Sequence, residues 1–116
     1  MKFVALIVIT SGEHEESLKT IAKNAGARGA TILQARGSGS EEKRSFFSLT
    51  FEGNQSLILY ILEEKLSKTI LKTIHKATQN DSIECVAFTA PLTHIVGLDQ
   101  TLLRKFEDSI KQESDL

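Results

Sequence analysis

Leu57-Ile58-Leu59-Tyr60-Ile61-Leu62 runs straight into Glu63-Glu64, and after these acids Leu66, Ile70, Leu71 and Ile74 recur at helical spacing. A continuous apolar run reads as a buried strand, and the change to a three-to-four-residue period reads as an amphipathic helix. The two glutamates open that helix, where negative charge is favoured by the peptide dipoles. Gln79-Asn80-Asp81-Ser82 breaks it, Cys85-Val86-Ala87-Phe88 forms a last core strand, and the single proline, Pro91, ends or edges that strand. Upstream, Gly53-Asn54 supplies a tight turn, and Phe47, Leu49 and Phe51 alternate with Ser48 and Thr50 as a half-buried strand does.

The first half has the same grammar. Phe3 to Ile9 is uninterrupted, apolar and β-branched, a central strand covered on at least one face. Ser11 offers an N-cap oxygen, Glu13, Glu15 and Glu16 crowd the first turn, and Leu18, Ile21, Ala22 and Ala25 mark an inward helical face. Gly26 stands where a left-handed helix stop is expected. Thr31 to Ala35 is a second strand, followed by Gly37-Ser38-Gly39-Ser40-Glu41-Glu42-Lys43-Arg44, small and charged without an apolar anchor, a mobile loop by composition. Asp99 is an N-cap for a closing helix carrying Leu102, Leu103, Phe106 and Ile110. Strand, helix, strand, strand pair, helix, strand is the α+β ferredoxin-like split βαβ sandwich, βαββαβ, with an extra strand and a C-terminal helix. The whole chain, 1–116, reads as one domain. Such a superfold names no function by itself.

Composition narrows the classes. Fourteen basic residues nearly balance fifteen acidic ones, so no overall field draws in nucleic acid or an anionic membrane. One cysteine leaves no internal disulfide framework and no cysteine-rich zinc site, which fits a reducing, cytoplasmic setting. Lys2 and the apolar run after it faintly resemble a secretion signal, but the run is short, acids follow and no small-residue cleavage pattern appears. No stretch is long enough to span a bilayer as a helix.

The passage Gly26-Ala27-Arg28-Gly29-Ala30-Thr31-Ile32-Leu33-Gln34-Ala35-Arg36-Gly37-Ser38-Gly39 resembles the helix-to-strand passage of the nitrogen regulatory P-II family. In that family a Gly-x-x-Gly precedes the second strand and a Gly-x-Gly opens a long signalling loop. Cys85 to Pro91, followed by Ile95-Val96-Gly97-Leu98, is similar to the last core strand and its exit in divergent members. The resemblance implies a cytoplasmic homotrimer for signal transduction, with effector sites in clefts between subunits and no catalytic residues. By position it implies that Thr31, Gly37, Ser38 and Gly39 edge the effector cleft, with Ile61 and Glu63 from the neighbouring strand end and Val86 from the last strand. Glycines let a backbone approach a phosphate, and successive N–H groups cradle an anion. Ser40, Glu41, Glu42, Lys43 and Arg44 would then form the loop that docks on a partner protein, a transporter or an enzyme.

Two departures bear on the effector. Where family members carry a glycine- and lysine-rich loop, this chain has Asn80-Asp81-Ser82-Ile83-Glu84-Cys85, whose acids repel a triphosphate. The arginine pair after the last strand is replaced by Thr93-His94-Ile95-Val96-Gly97. A less charged adenine nucleotide, another small anion, or no ligand stay open. The loop holds no tyrosine for nucleotidylation, because Tyr60 lies in a strand.

Other features have plainer readings. Lys68, Lys72 and Lys76, with Lys65 and His75 nearby, form a stripe that reads as the solvated face of the second helix, and no interleaved aromatics suggest RNA. His14, His75 and His94 share no metal-ligand spacing with Cys85, though a trimer axis could gather copies of one histidine. Cys85 lies beside Glu84, which would raise rather than lower a thiol pKa, so it is a poor nucleophile. No nucleophile elbow, no phosphate-binding loop ending in Gly-Lys and no working carboxylate pair appears, and no cofactor is implied. Two alternatives to an effector sensor remain: a trimeric CutA-like metal-binding protein of the same topology, and an interaction module that has lost its ligand.

Overall fold

The computed structural model describes residues 2–37, 53–80 and 82–98. Strand β1 (Phe3–Ser11) leads through a 3₁₀ turn (Gly12–His14) into helix α1 (Glu15–Asn24). Strands β2 (Thr31–Gly37) and β3 (Gly53–Glu63) follow, then helix α2 (Glu64–Asn80) and strand β4 (Cys85–Pro91). The sheet order is β2-β3-β1-β4 with every neighbouring pair antiparallel, which is the ferredoxin-like arrangement expected from the element order.

Strand periodicity divides the sheet into two faces. Val4, Leu6, Val8 and Thr10 of β1 and Ser56, Ile58, Tyr60 and Leu62 of β3 are buried on the face that the helices cover. Leu18 and Ala22 of α1 and Ile70, Ile74 and Ala77 of α2 close over them as one cluster. Truncating a fully buried member such as Leu6 or Ile70 to alanine should cost ~2–5 kcal/mol. The other face presents Ile7 and Ile9 of β1, Leu57, Leu59 and Ile61 of β3, Thr31, Leu33 and Ala35 of β2, and Val86 and Phe88 of β4. No helix covers it among the described residues.

Gly26 stops α1 as expected, at φ 117°, a conformation L side chains rarely adopt. Three expectations are corrected. Gly53 and Asn54 are not a turn: they are the first residues of β3 and pair with Gly37 and Arg36, because the ladder with β2 continues to the strand end and outweighs local turn preference. Ser11 makes no side-chain cap bond, because the 3₁₀ turn separates it from α1. β4 is a sheet edge only partly buried, rather than a core strand, since β1 pairs it on one side alone. The loop expected at 37–44 begins later than that, since Gly37 is the last residue of β2 and pairs with Gly53; residues 38–44, the expected strand at 47–51 and the closing helix lie outside the described residues.

Candidate functional site

The residues expected at an effector cleft come from three strands, and the register fixes where each lies. Thr31 stands opposite Leu59, and Ile61, the next residue of β3 on the same face, is its diagonal neighbour at ~7–8 Å. Glu63 ends β3 opposite Phe3, so Thr31, Ile61 and Glu63 gather at one end of the sheet. Gly37 pairs with Gly53 at the other end of β2, about 20 Å from Thr31 at ~3.3 Å per residue. Val86 faces Ile9 on β4, the edge opposite β2, three strand spacings or roughly 14 Å across. Ser38, Gly39 and the partner loop Ser40 to Arg44 lie outside the described residues.

Glu63 has a definite local task. It is 6% exposed, and its Oε2 accepts the backbone N–H of Lys65 at 2.8 Å and of Leu66 at 3.3 Å. These are donors that the first turn of α2 leaves unpaired, so the carboxylate caps the helix from the preceding strand. Glu15, the first residue of α1, instead ties that helix to the sheet: its Oε1 accepts the Ser56 hydroxyl at 2.6 Å and the Gln34 amide at 3.4 Å. The Thr10 hydroxyl donates to the Glu84 carbonyl at 2.8 Å and ties the start of β4 to β1.

Gln55 was not singled out by its sequence context, yet its buried Nε2 has no hydrogen-bond partner among the described residues. It shares the uncovered face with Leu57 and Leu59, between Ala35 and Ser11 and close to the Gly37–Gly53 pair. The available signal was a carboxamide two residues before the apolar run, in phase with Leu57 and Leu59. A buried N–H without an acceptor is costly unless something supplies one.

The remaining chemistry is sparse. Among the described residues no three of His, Cys, Asp and Glu converge as metal ligands. Cys85 is half-buried, and burial, rather than Glu84, pushes its thiol up. Lys65, Lys68, Lys72 and Lys76 are exposed along α2, the solvated face expected of that stripe. No helix among the described residues is long and apolar enough to cross a membrane.

The described residues form an antiparallel ferredoxin-like sheet with one helical layer, an α+β protein of the split βαβ class. The chain belongs to the nitrogen regulatory protein P-II family, which it matches over residues 1–100. It is similar in structure to CPII of Thiomonas intermedia K12, a nitrogen regulatory PII-like protein bound to ADP, AMP and bicarbonate. That likeness has a TM-score of 0.63 at 18% identity and covers 84% of this chain and 98% of that one. It is also similar to a PII-like signaling protein of Thermus thermophilus, with a TM-score of 0.56 at 21% identity, covering 79% and 88%. The apo form of CPII gives 0.53 at 18% identity, covering 82% and 96%. The search of curated proteins finds no match. The family places the chain among signal-transduction regulators.

Proposed function

We propose that the chain is a non-enzymatic regulator that assembles as a homotrimer, senses a small effector between subunits and signals through residues 40–44. The observation that carries this reading is the division of the expected site residues between two opposite edges of one sheet. Thr31 and Ile61 sit toward the β2 edge and Val86 on the β4 edge, with the open sheet face rather than a cleft between them in a single chain. A second copy presenting its β4 edge would complete the cleft. The uncovered apolar face between the edges gives the copies a reason to associate.

The effector we favour is an adenine nucleotide of low charge, with a small oxyanion beside it. ADP, AMP and bicarbonate on CPII support the chemical class. Glu84 near β4 disfavours a triphosphate. Gly37, Ser38 and Gly39 would offer backbone donors at the loop base, and Gln55 would donate its unpartnered amide to the oxyanion. Ser40, Glu41, Glu42, Lys43 and Arg44 would then transmit occupancy to a transporter or enzyme in the cytoplasm.

The test is thermal unfolding of the purified chain with ATP, ADP, AMP, cyclic AMP, 2-oxoglutarate and bicarbonate. An effector bound only to the folded state at ~100 times its Kd adds about 2.7 kcal/mol, on the order of 10 °C in Tm for a domain of this size. ADP or AMP should give that shift and ATP a smaller one. Silence across the panel would overturn the sensor reading and leave a ligand-free interaction module.

A further inference from the structure

Among the described residues one buried side-chain nitrogen has no hydrogen-bond partner, and it is Gln55 Nε2. The residue is 7% exposed, so bulk water does not satisfy it. An amide N–H left bare in this way costs stability until an acceptor arrives. Gln55 is the third residue of β3 and lies on the face away from the helices, with Ser11 opposite it on β1 and Ala35 opposite it on β2.

The neighbours of the amide show which acceptor fits. Farther along the same face come Ile9, Leu33, Leu57 and Leu59, all bulky and apolar. At this end stand Ser11, Ala35 and the Gly37–Gly53 pair, which leave room beside the carboxamide. Directly opposite residues bring their Cβ atoms to ~4.5–5.5 Å, and the Ser11 side chain makes no cap bond to the turn it precedes. An amide and a hydroxyl, both neutral donors, therefore stand side by side. Among the described strand residues no lysine or arginine falls on this face, because Arg36 alternates with Ala35 and Gly37 onto the helical side.

Resting on the effector cleft proposed above, we propose that Gln55 and Ser11 set its oxyanion specificity, accepting a planar, singly charged carboxylate-type group and rejecting a doubly charged one. One oxygen of such a group accepts from the amide and the other from the hydroxyl. Neutral donors hold a monoanion through charge-assisted hydrogen bonds. A dianion gives up far more hydration on entry and meets no cation on this face to offset it. Nucleotide phosphates at the Gly37 end of the cleft add repulsion that a second charge makes worse.

The probes are sodium acetate and sodium sulfate, with sodium chloride at matched ionic strength as control, added to the whole chain in the presence of ADP. ADP binding itself is read separately from the thermal shift. The reporter is the side-chain NH2 resonance pair of Gln55, assigned by its loss in Gln55→Leu. Acetate should move that pair saturably while sulfate and chloride do not, and Ser11→Ala should weaken acetate severalfold. In Gln55→Leu the backbone amides of Ser11 and Gly37 take over as reporters, and acetate binding should fall at least tenfold. The same variant should unfold at no lower temperature without anion, since the bare N–H is lost with the amide; a side chain needed only for packing would lower that temperature. Gln55→Lys supplies a cation and should turn the preference toward sulfate. ADP binding with an acetate response no larger than that of chloride would overturn the specificity alone, and absence of both responses would overturn it together with the nucleotide reading. Equal affinity for acetate and sulfate, or unchanged acetate affinity in Gln55→Leu, would overturn it even with nucleotide bound.

Discussion

Gly26 shows how one residue can hold two elements in place. Its φ of 117° excludes a relaxed side chain, and an added Cβ would stand 3.0 Å from Leu66 Cδ1 of α2. Gly26→Ala should therefore lower stability by ~1–3 kcal/mol in chemical denaturation, whereas Gly12→Ala, with nothing within 4 Å and no positive φ, should change it by less than ~0.5 kcal/mol. Equal effects would mean that backbone conformation is not what the glycine supplies. Cys85 and Tyr60 give a second residue-level expectation, because burial raises both above their ordinary values of 9.0 and 10.0. Above those values the unfolded chain has released protons that the folded chain still holds, so the stability slope with pH is negative. Their contribution is full below pH ~9 and is lost as pH rises through the raised folded values. Denaturation midpoints should accordingly fall above pH ~9, and Cys85→Ser should remove the lower part of that fall.

At the scale of elements, the joint between β3 and α2 is the most informative. Glu63 was expected to open the helix; it closes the strand, and its carboxylate reaches forward to the amides of Lys65 and Leu66. Glu63→Ala should cost about 1 kcal/mol by loss of the cap, read as a lower thermal midpoint, and Glu63→Gln should recover part of it because an acceptor oxygen remains. A neutral alanine variant would show that water caps the helix equally well. The joint also shows what was legible in the sequence. Hydrophobic period located β1, β3, both helices and β4, because burial against one layer imposes that period directly. Strand ends were not legible: Gly53-Asn54 carries turn chemistry, but pairing with β2 is non-local and overrides it. Nor was Gln55 legible as an unpartnered donor, since that property depends on the strands beside it.

For the whole molecule, the sheet face that no described helix covers decides between a monomer and a closed assembly. Leu33 leaves 52% of its surface in water and Ile61 and Phe88 each 37%, on a face that also carries Ile7, Ile9, Leu57 and Leu59. Fully burying a leucine is worth ~1.5–3 kcal/mol, and roughly half of that is still to be gained at Leu33. If β2 of one copy meets β4 of the next, the contact is head-to-tail, and such contacts remain finite only when they close into a ring. Every interface of the ring then uses one edge of each kind, so damage at either edge opens all of them. Leu33→Asp is the discriminating change, because in an isolated chain so exposed a position tolerates substitution within ~0.5 kcal/mol. Sedimentation should give three times the 12.8 kDa chain mass for the unaltered protein, and a single-chain mass with retained circular dichroism for Leu33→Asp. The same variant should lose the thermal shift from adenine nucleotide, since a cleft completed by a neighbour's Val86 cannot survive separation. A monomer that keeps the full nucleotide response would place the effector within one chain and refute the two-edge site, while an unaltered trimer would show that the copies meet somewhere other than β2.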